Sequence, residues 1–146
     1  MKHPLHPMLV HFPIAAWLMA TVLDGVALVW QPWLLQTFAA LLMLVGCATG
    51  LIAAAAGFVD LLKLPDGHPA LRIVNRHMGM ALASWCLYAG SLLLRVQGIQ
   101  QHQFSLVAPG TVALALSGAG LLAVLATGFL GGTLVYGHGV GTSPRP

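Results

Sequence analysis

Charge is what this 146-residue chain has least of: three carboxylates and six Lys or Arg side chains make up 6% of it, against 58% hydrophobic residues. With a mean hydropathy of +0.87, a soluble globular domain is excluded and an integral membrane protein embedded in a lipid bilayer is the expectation. Cysteine is almost as scarce. Cys47 and Cys86 stand alone, without CxxC or CxxCH spacing, which excludes a disulfide framework, a thiolate zinc site and covalent c-type haem attachment. Placed in mid-span, both read as small buried apolar residues. The basic residues form no cluster and have no interleaved aromatics, so the formal charge of +3 does not point to nucleic acid. No HExxH or comparable signature names a reaction.

Long uncharged runs are what the chain has instead. A membrane-spanning helix needs about 20 apolar residues, and residues 12–30, 38–59, 78–94 and 107–136 supply four such stretches. Gln31-Pro32, the run from Leu64 to Pro69, and Gln100 through Gly110 punctuate them as turns or polar linkers. Short connections favour antiparallel neighbours. The expected architecture is therefore all-α, an integral membrane four-helix bundle running up-down-up-down, as a single four-span domain over residues 1–146. The first apolar stretch is of full span length, lacks a small-residue cleavage site and follows a His-Pro motif, so it reads as a retained helix.

Orientation follows from the few cations. Lys2, Lys63, Arg72, Arg76 and Arg145 fall on the side of the termini, and Arg95 alone falls opposite. The positive-inside rule then places both termini in the cytoplasm of a bacterial inner membrane. Trp30 and Trp33 flank the far-side turn as an interfacial belt, and Tyr136 does the same on the near side. Asp24 lies about 20 Å further along its helix than His11, at a rise of about 1.5 Å per residue. That puts it near the far face, where Arg95 is its natural counter-charge.

Six of the seven histidines fall on the near side. His11 opens the first span, His77 opens the third, Asp60 closes the second and His138 follows the fourth, so each helix brings one candidate ligand to the same end. A weak internal repeat reinforces this: the segment from Gly50 to Phe58 resembles that from Gly120 to Phe129, one residue longer. It makes helix pairs 1–2 and 3–4 pseudo-equivalent and His11 and His77 approximate mates. His3, His6 and His68 each precede a proline and read as turn or helix-start signals. Asp60 has three readings: a ligand, an acceptor that fixes a histidine tautomer, or an ion-pair partner of Arg72 or Arg76. Gly50, Gly57, Gly120 and Gly128 have two: close helix packing in lipid, or room for a flat cofactor.

The run His6-Pro7-Met8-Leu9-Val10-His11-Phe12-Pro13-Ile14, the Gly57-x-x-Asp60 that closes the second span, His77, and the segment from Gly131 to Gly141 carrying Tyr136 and His138 resemble the bacterial membrane family catalogued as domain of unknown function 2231. The resemblance spans nearly the whole chain. It implies a four-span protein whose relatives are sometimes fused to c-type cytochrome or Rieske-type domains, hence electron transfer with a separate redox protein or a larger membrane complex as partner.

Three functions stand open on these residues. The first is membrane electron transfer by a non-covalent b-type haem, with His11 and His77 as axial ligands and Gly50, Gly57, Gly120 and Gly128 lining the porphyrin. The second is a mononuclear zinc, iron or copper site made by His11, His77, His138 and Asp60. The third is a structural subunit of a larger membrane complex, with the histidines as interfacial polar groups.

Overall fold

The computed structural model describes residues 5–30, 32–97 and 105–140; Lys2, His3, Gln31, His102 and Arg145 lie outside them. Helices α1 (Leu5–Leu9) and α2 (His11–Ala27) form one rod, because Val10 between them keeps helical dihedrals and the bonds Val10 N to His6 O (3.1 Å) and Ile14 N to Val10 O (3.2 Å) bridge the junction. Pro7 and Pro13 fall in the first turns of the two helices, where a missing N–H is tolerated. The helix therefore begins at Leu5, earlier than the apolar run does. Helices α3 (Pro32–Leu61), α4 (Leu71–Leu93) and α5 (Thr111–Gly132) follow, and α5 continues into a π-helical turn over Thr133–Gly137. In the linker read as irregular, β1 (Val96–Gln97) pairs antiparallel with β2 (Ser105–Leu106), Val96 opposite Leu106 and Gln97 opposite Ser105.

Three segments are long and apolar enough to cross a membrane: Leu5–Ala27, Pro32–Leu61 and Thr111–Gly137. Helix α4 has 23 residues, about 34 Å at the helical rise. Its Arg72, Arg76 and His77 in the first turns, and Ser84, Tyr88 and Ser91 further on, make it the least apolar of the four. Those last three side chains are buried, so beyond its exposed first turns the polarity of α4 points inward.

The packing is that of helices in lipid. Leu18, Met19, Val22, Leu41, Leu44, Leu51, Ile52, Leu82, Leu122 and Leu125 face outward, while Ala16, Ala20, Ala39, Ala40, Ala53, Ala113 and Ala123 fill the inside. Lipid tails solvate leucine as well as another helix does, so small residues go where backbones approach. Trp30, Trp33 and Tyr136 are exposed at the helix ends, as an interfacial belt requires. Cys47 is buried as expected, but Cys86 is exposed; its position on α4 points outward beside Leu82.

Helix α2 packs mainly on α3 and α4 mainly on α5, and the two pairs use one register. Asp24 and Arg95 are 71 residues apart; His6 and His77 have that same offset and touch, as do Trp17 and Tyr88. On the other helix of each pair, Gly46, Ala53 and Gly57 recur at one constant offset as Gly120, Thr127 and Gly131. A Cβ at Gly46 would overlap the Trp17 indole, and one at Gly120 would come within 2.8 Å of the Tyr88 ring. The sequence alignment of Gly50 with Gly120 and of Gly57 with Gly128 is corrected accordingly. Identity within an alanine-leucine background does not show which ring rests on which glycine.

A stability test follows from this register. Gly120→Ala drives a methyl into a fully buried Tyr88, and overpacking of this kind costs about 1–3 kcal/mol. At Gly128 a Cβ meets nothing within 4 Å, so Gly128→Ala is expected to be neutral or to stabilise by up to about 1 kcal/mol through helix propensity. Thermal unfolding of the two variants in one detergent checks the order, and a Gly120→Ala protein as stable as wild type refutes the packing described.

Candidate functional site: a histidine pair at the near-side end

The histidine that meets His77 is His6, not His11. The His6 and His77 ring centroids are 6.3 Å apart with planes at 87°. His6 Nδ1 lies 2.8 Å from the Ala53 carbonyl oxygen of α3, and His77 Nδ1 lies 3.0 Å from the Thr127 carbonyl oxygen of α5. Both carbonyls stand four residues before a glycine, Gly57 and Gly131. In a helix the side chain at i+4 lies over the carbonyl of residue i, so a missing Cβ there opens that oxygen to a second acceptor role. The glycines make room for imidazoles: a Cβ at Gly57 would come within 2.8 Å of the His6 ring, and one at Gly131 within 3.3 Å of the His77 ring.

The tautomer follows from the partners. A carbonyl oxygen only accepts, so each Nδ1 carries the proton and donates it. A neutral imidazole held this way has its lone pair on Nε2. Two half-buried histidines from different helix pairs thus carry Nε2 lone pairs with no partner among the described residues, at one end of the protein.

The other residues singled out by sequence are not gathered here. His11 is exposed, with Nδ1 3.4 Å from the Met8 carbonyl oxygen of its own helix. His138 is half-buried, with Nδ1 3.4 Å from Thr133 O. Asp60 accepts from Lys63 Nζ at 2.6 Å, which corrects the expectation of Arg72 or Arg76 as its partner: Lys63 is one helical turn away and gets there first. Among the described residues no group of three His, Cys, Asp or Glu side chains could hold a metal. At Gly50 a Cβ would meet Trp17 at 3.1 Å and Trp85 at 3.4 Å. Gly50, Gly57 and Gly120 thus seat side chains of the chain itself, and Gly128 faces open space.

Two further layers lie beneath the histidines. Trp17 and Tyr88, about 16 Å further along at the helical rise, stack with centroids 5.1 Å apart and planes 1° from parallel. The Tyr88 hydroxyl is 2.7 Å from Thr21 Oγ1. At the far end Arg95 donates through Nη1 and Nη2 to Asp24 Oδ1 and Oδ2 at 2.7 and 2.6 Å. Ser117 Oγ donates to Asp24 Oδ2 at 3.0 Å, and Ser91 Oγ lies 3.2 Å from Arg95 Nη2. Both charged side chains are almost wholly buried, 3% and 1% exposed.

A family model described as "Predicted membrane protein (DUF2231)" matches residues 2–144. The chain belongs to the DUF2231 family. No curated protein and no solved structure matches it. Membership in DUF2231 agrees with the apolar helices and assigns no chemistry, so the arrangement of His6 and His77 is the guide to function. Sequence reasoning set His6 aside because His-Pro is a common helix-start signal. The signal that finds it was present: the Asp24–Arg95 offset, applied to His77, returns His6, and applied to Tyr88 returns Trp17.

Proposed function

We propose that this DUF2231 protein is a membrane electron-transfer protein in which His6 and His77 would hold one non-covalent b-type haem. The observation that carries the reading is the edge contact of the two imidazoles, ring centroids 6.3 Å apart, with each Nδ1 pinned to a carbonyl. The two Nε2 lone pairs would be the donors offered to a shared group. A bare zinc, iron or copper ion asks for three or four protein donors, whereas a porphyrin brings its own equatorial four and needs two. The donor set fits haem better than it fits the mononuclear site of His11, His77, His138 and Asp60.

When bound, haem supplies one-electron chemistry between ferric and ferrous iron. The part of this chain is to fix both imidazoles in one tautomer, to raise their basicity through the carbonyl bonds and to surround them with apolar helix, each of which tunes potential. The electron donor or acceptor is a separate redox protein or a larger membrane complex.

The test is a reduced-minus-oxidised absorption spectrum of the purified protein from haem-replete cells, with metal analysis of the same sample. A Soret band that shifts on reduction, with about one iron per chain, is the expected result. Stoichiometric metal without a chromophore transfers the pair to a metal-ion reading. Neither signal leaves the structural-subunit reading in its place.

The same reading includes an up-down-up-down bundle in the bacterial inner membrane with both termini cytoplasmic. Support comes from contacts that run in opposite directions along each pair: His6 with Ala53 and Trp17 with Gly46, then His77 with Thr127 and Tyr88 with Gly120. Arg95 is neutralised by Asp24, which leaves the far side with no free cation among the described residues and sharpens the charge bias. Reporter fusions at Pro146 are expected to behave as cytoplasmic and fusions between Gln97 and Gln103 as periplasmic. The reverse pattern overturns the orientation.

A further inference from the structure

The outer face of the α4–α5 pair is not smooth. A groove of about 570 Å³ runs along it, lined by Gly79, Met80, Ala126, Phe129 and Leu130, with Arg76 as its one charged residue. It is shallow and open along its length rather than enclosed. Gly79 and Ala126 account for its depth: a Cβ at Gly79 would meet nothing within 4 Å, while Phe129 stands outward beside it. Arg76 is exposed and has no carboxylate partner among the described residues: Asp24 is held by Arg95 and Asp60 by Lys63, and Asp66, exposed in the loop before α4, forms no ion pair with it.

We propose that this groove seats an acyl chain of one anionic phospholipid, with the lipid phosphate on Arg76. The groove faces outward on an apolar helix pair, at the end where the near-side cations gather, so its apolar length meets lipid tails and its guanidinium meets headgroups. Arginine pairs bidentately with phosphate oxygens, a geometry lysine does not reproduce. The charge decides among occupants. A neutral quinone headgroup calls for neutral polar partners that the lining lacks, and in a second copy the one carboxylate outside an ion pair among the described residues, Asp66, stands in the loop before α4 and not on an apolar helix face that could fill the groove.

The experiment is native mass spectrometry of the protein released from nanodiscs of phosphatidylcholine containing a minor fraction of phosphatidylglycerol. Wild type is expected to retain about one phosphatidylglycerol per chain, enriched over phosphatidylcholine. Arg76→Gln is expected to lower that occupancy about fivefold, the factor for one cation at an anionic surface. Gly79→Leu places an apolar side chain in the groove from a position where a Cβ meets nothing within 4 Å and is expected to lower it comparably with Arg76 intact, whereas Arg72→Gln, an exposed cation outside the groove, leaves it unchanged. Equal retention of the two lipids by wild type, an equal loss with Arg72→Gln, or a neutral quinone or a second protein chain as the retained species overturns the proposal. Circular dichroism of each variant establishes that it is folded, and if Arg76→Gln is not, the Gly79→Leu comparison decides alone.

Discussion

Arg95→Gln is expected to destabilise the protein by about 3–5 kcal/mol, the penalty for leaving one member of a buried ion pair without the other. Asp24 would remain almost wholly buried with Ser117 Oγ as its remaining described side-chain donor. The cavity of about 150 Å³ beside Asp24, lined also by Thr21, Ser117 and Gly118, gives water a way to reach the stranded carboxylate and holds the loss to the lower half of that range. Asp24→Leu should be worse, because a guanidinium so placed has only Ser91 nearby. The double variant Asp24→Leu/Arg95→Met removes both charges at once and keeps volume, so it is expected to recover most of the loss. Ser91 still donates to Ala113 O at 2.7 Å and Ser117 still reaches Leu114 O at 3.3 Å, so neither hydroxyl is orphaned. Unfolding in detergent measures the three variants. An additive double variant, with coupling below about 0.5 kcal/mol, shows that the pair is not the unit described.

That ion pair was legible in the sequence because it depends on coarse geometry alone. A carboxylate deep in one span and a cation at the far end of another, in helices that start on the same side, have little choice of partner in lipid. The histidine pair depends on finer detail, namely where the first helix begins and which way it is turned. Apolarity starts at Phe12, but helix is already present at Leu5: Pro7 falls in the first turn of α1 and Pro13 in the first turn of α2, just past the Val10 junction. His6 and His11 are then on one rod, separated by about 140° around its axis at 3.6 residues per turn. With His6 turned inward onto Ala53, His11 must face out. The glycines failed for a related reason. Their abundance said that something was to be accommodated, but a one-dimensional pattern cannot say whether that is a helix backbone, a porphyrin or a ring of the same chain, and here the neighbours of Gly46, Gly57, Gly120 and Gly131 are all rings.

His6→Ala and His77→Ala are each expected to abolish the Soret band of the purified protein, while His11→Ala, His138→Ala and Asp60→Asn leave it at wild-type intensity. The grounds are positional: among the described histidines only His6 and His77 meet, and Asp60 and His138 are engaged with Lys63 and Thr133. Loss of a ligand must be separated from loss of the fold, so helicity and elution volume are measured on the same samples. Gly57→Ala provides a subtler probe. Its methyl would stand within 2.8 Å of the His6 ring and force it off the Ala53 carbonyl while leaving the imidazole in the chain. Without that bond the tautomer and orientation are no longer fixed, and cofactor affinity is expected to fall about 10- to 100-fold, the usual effect of removing the group that orients a ligating histidine. A Soret band that survives His6→Ala and vanishes with His11→Ala reverses the pairing. One that survives His6→Ala, His77→Ala and the double variant removes the haem from this end of the protein altogether.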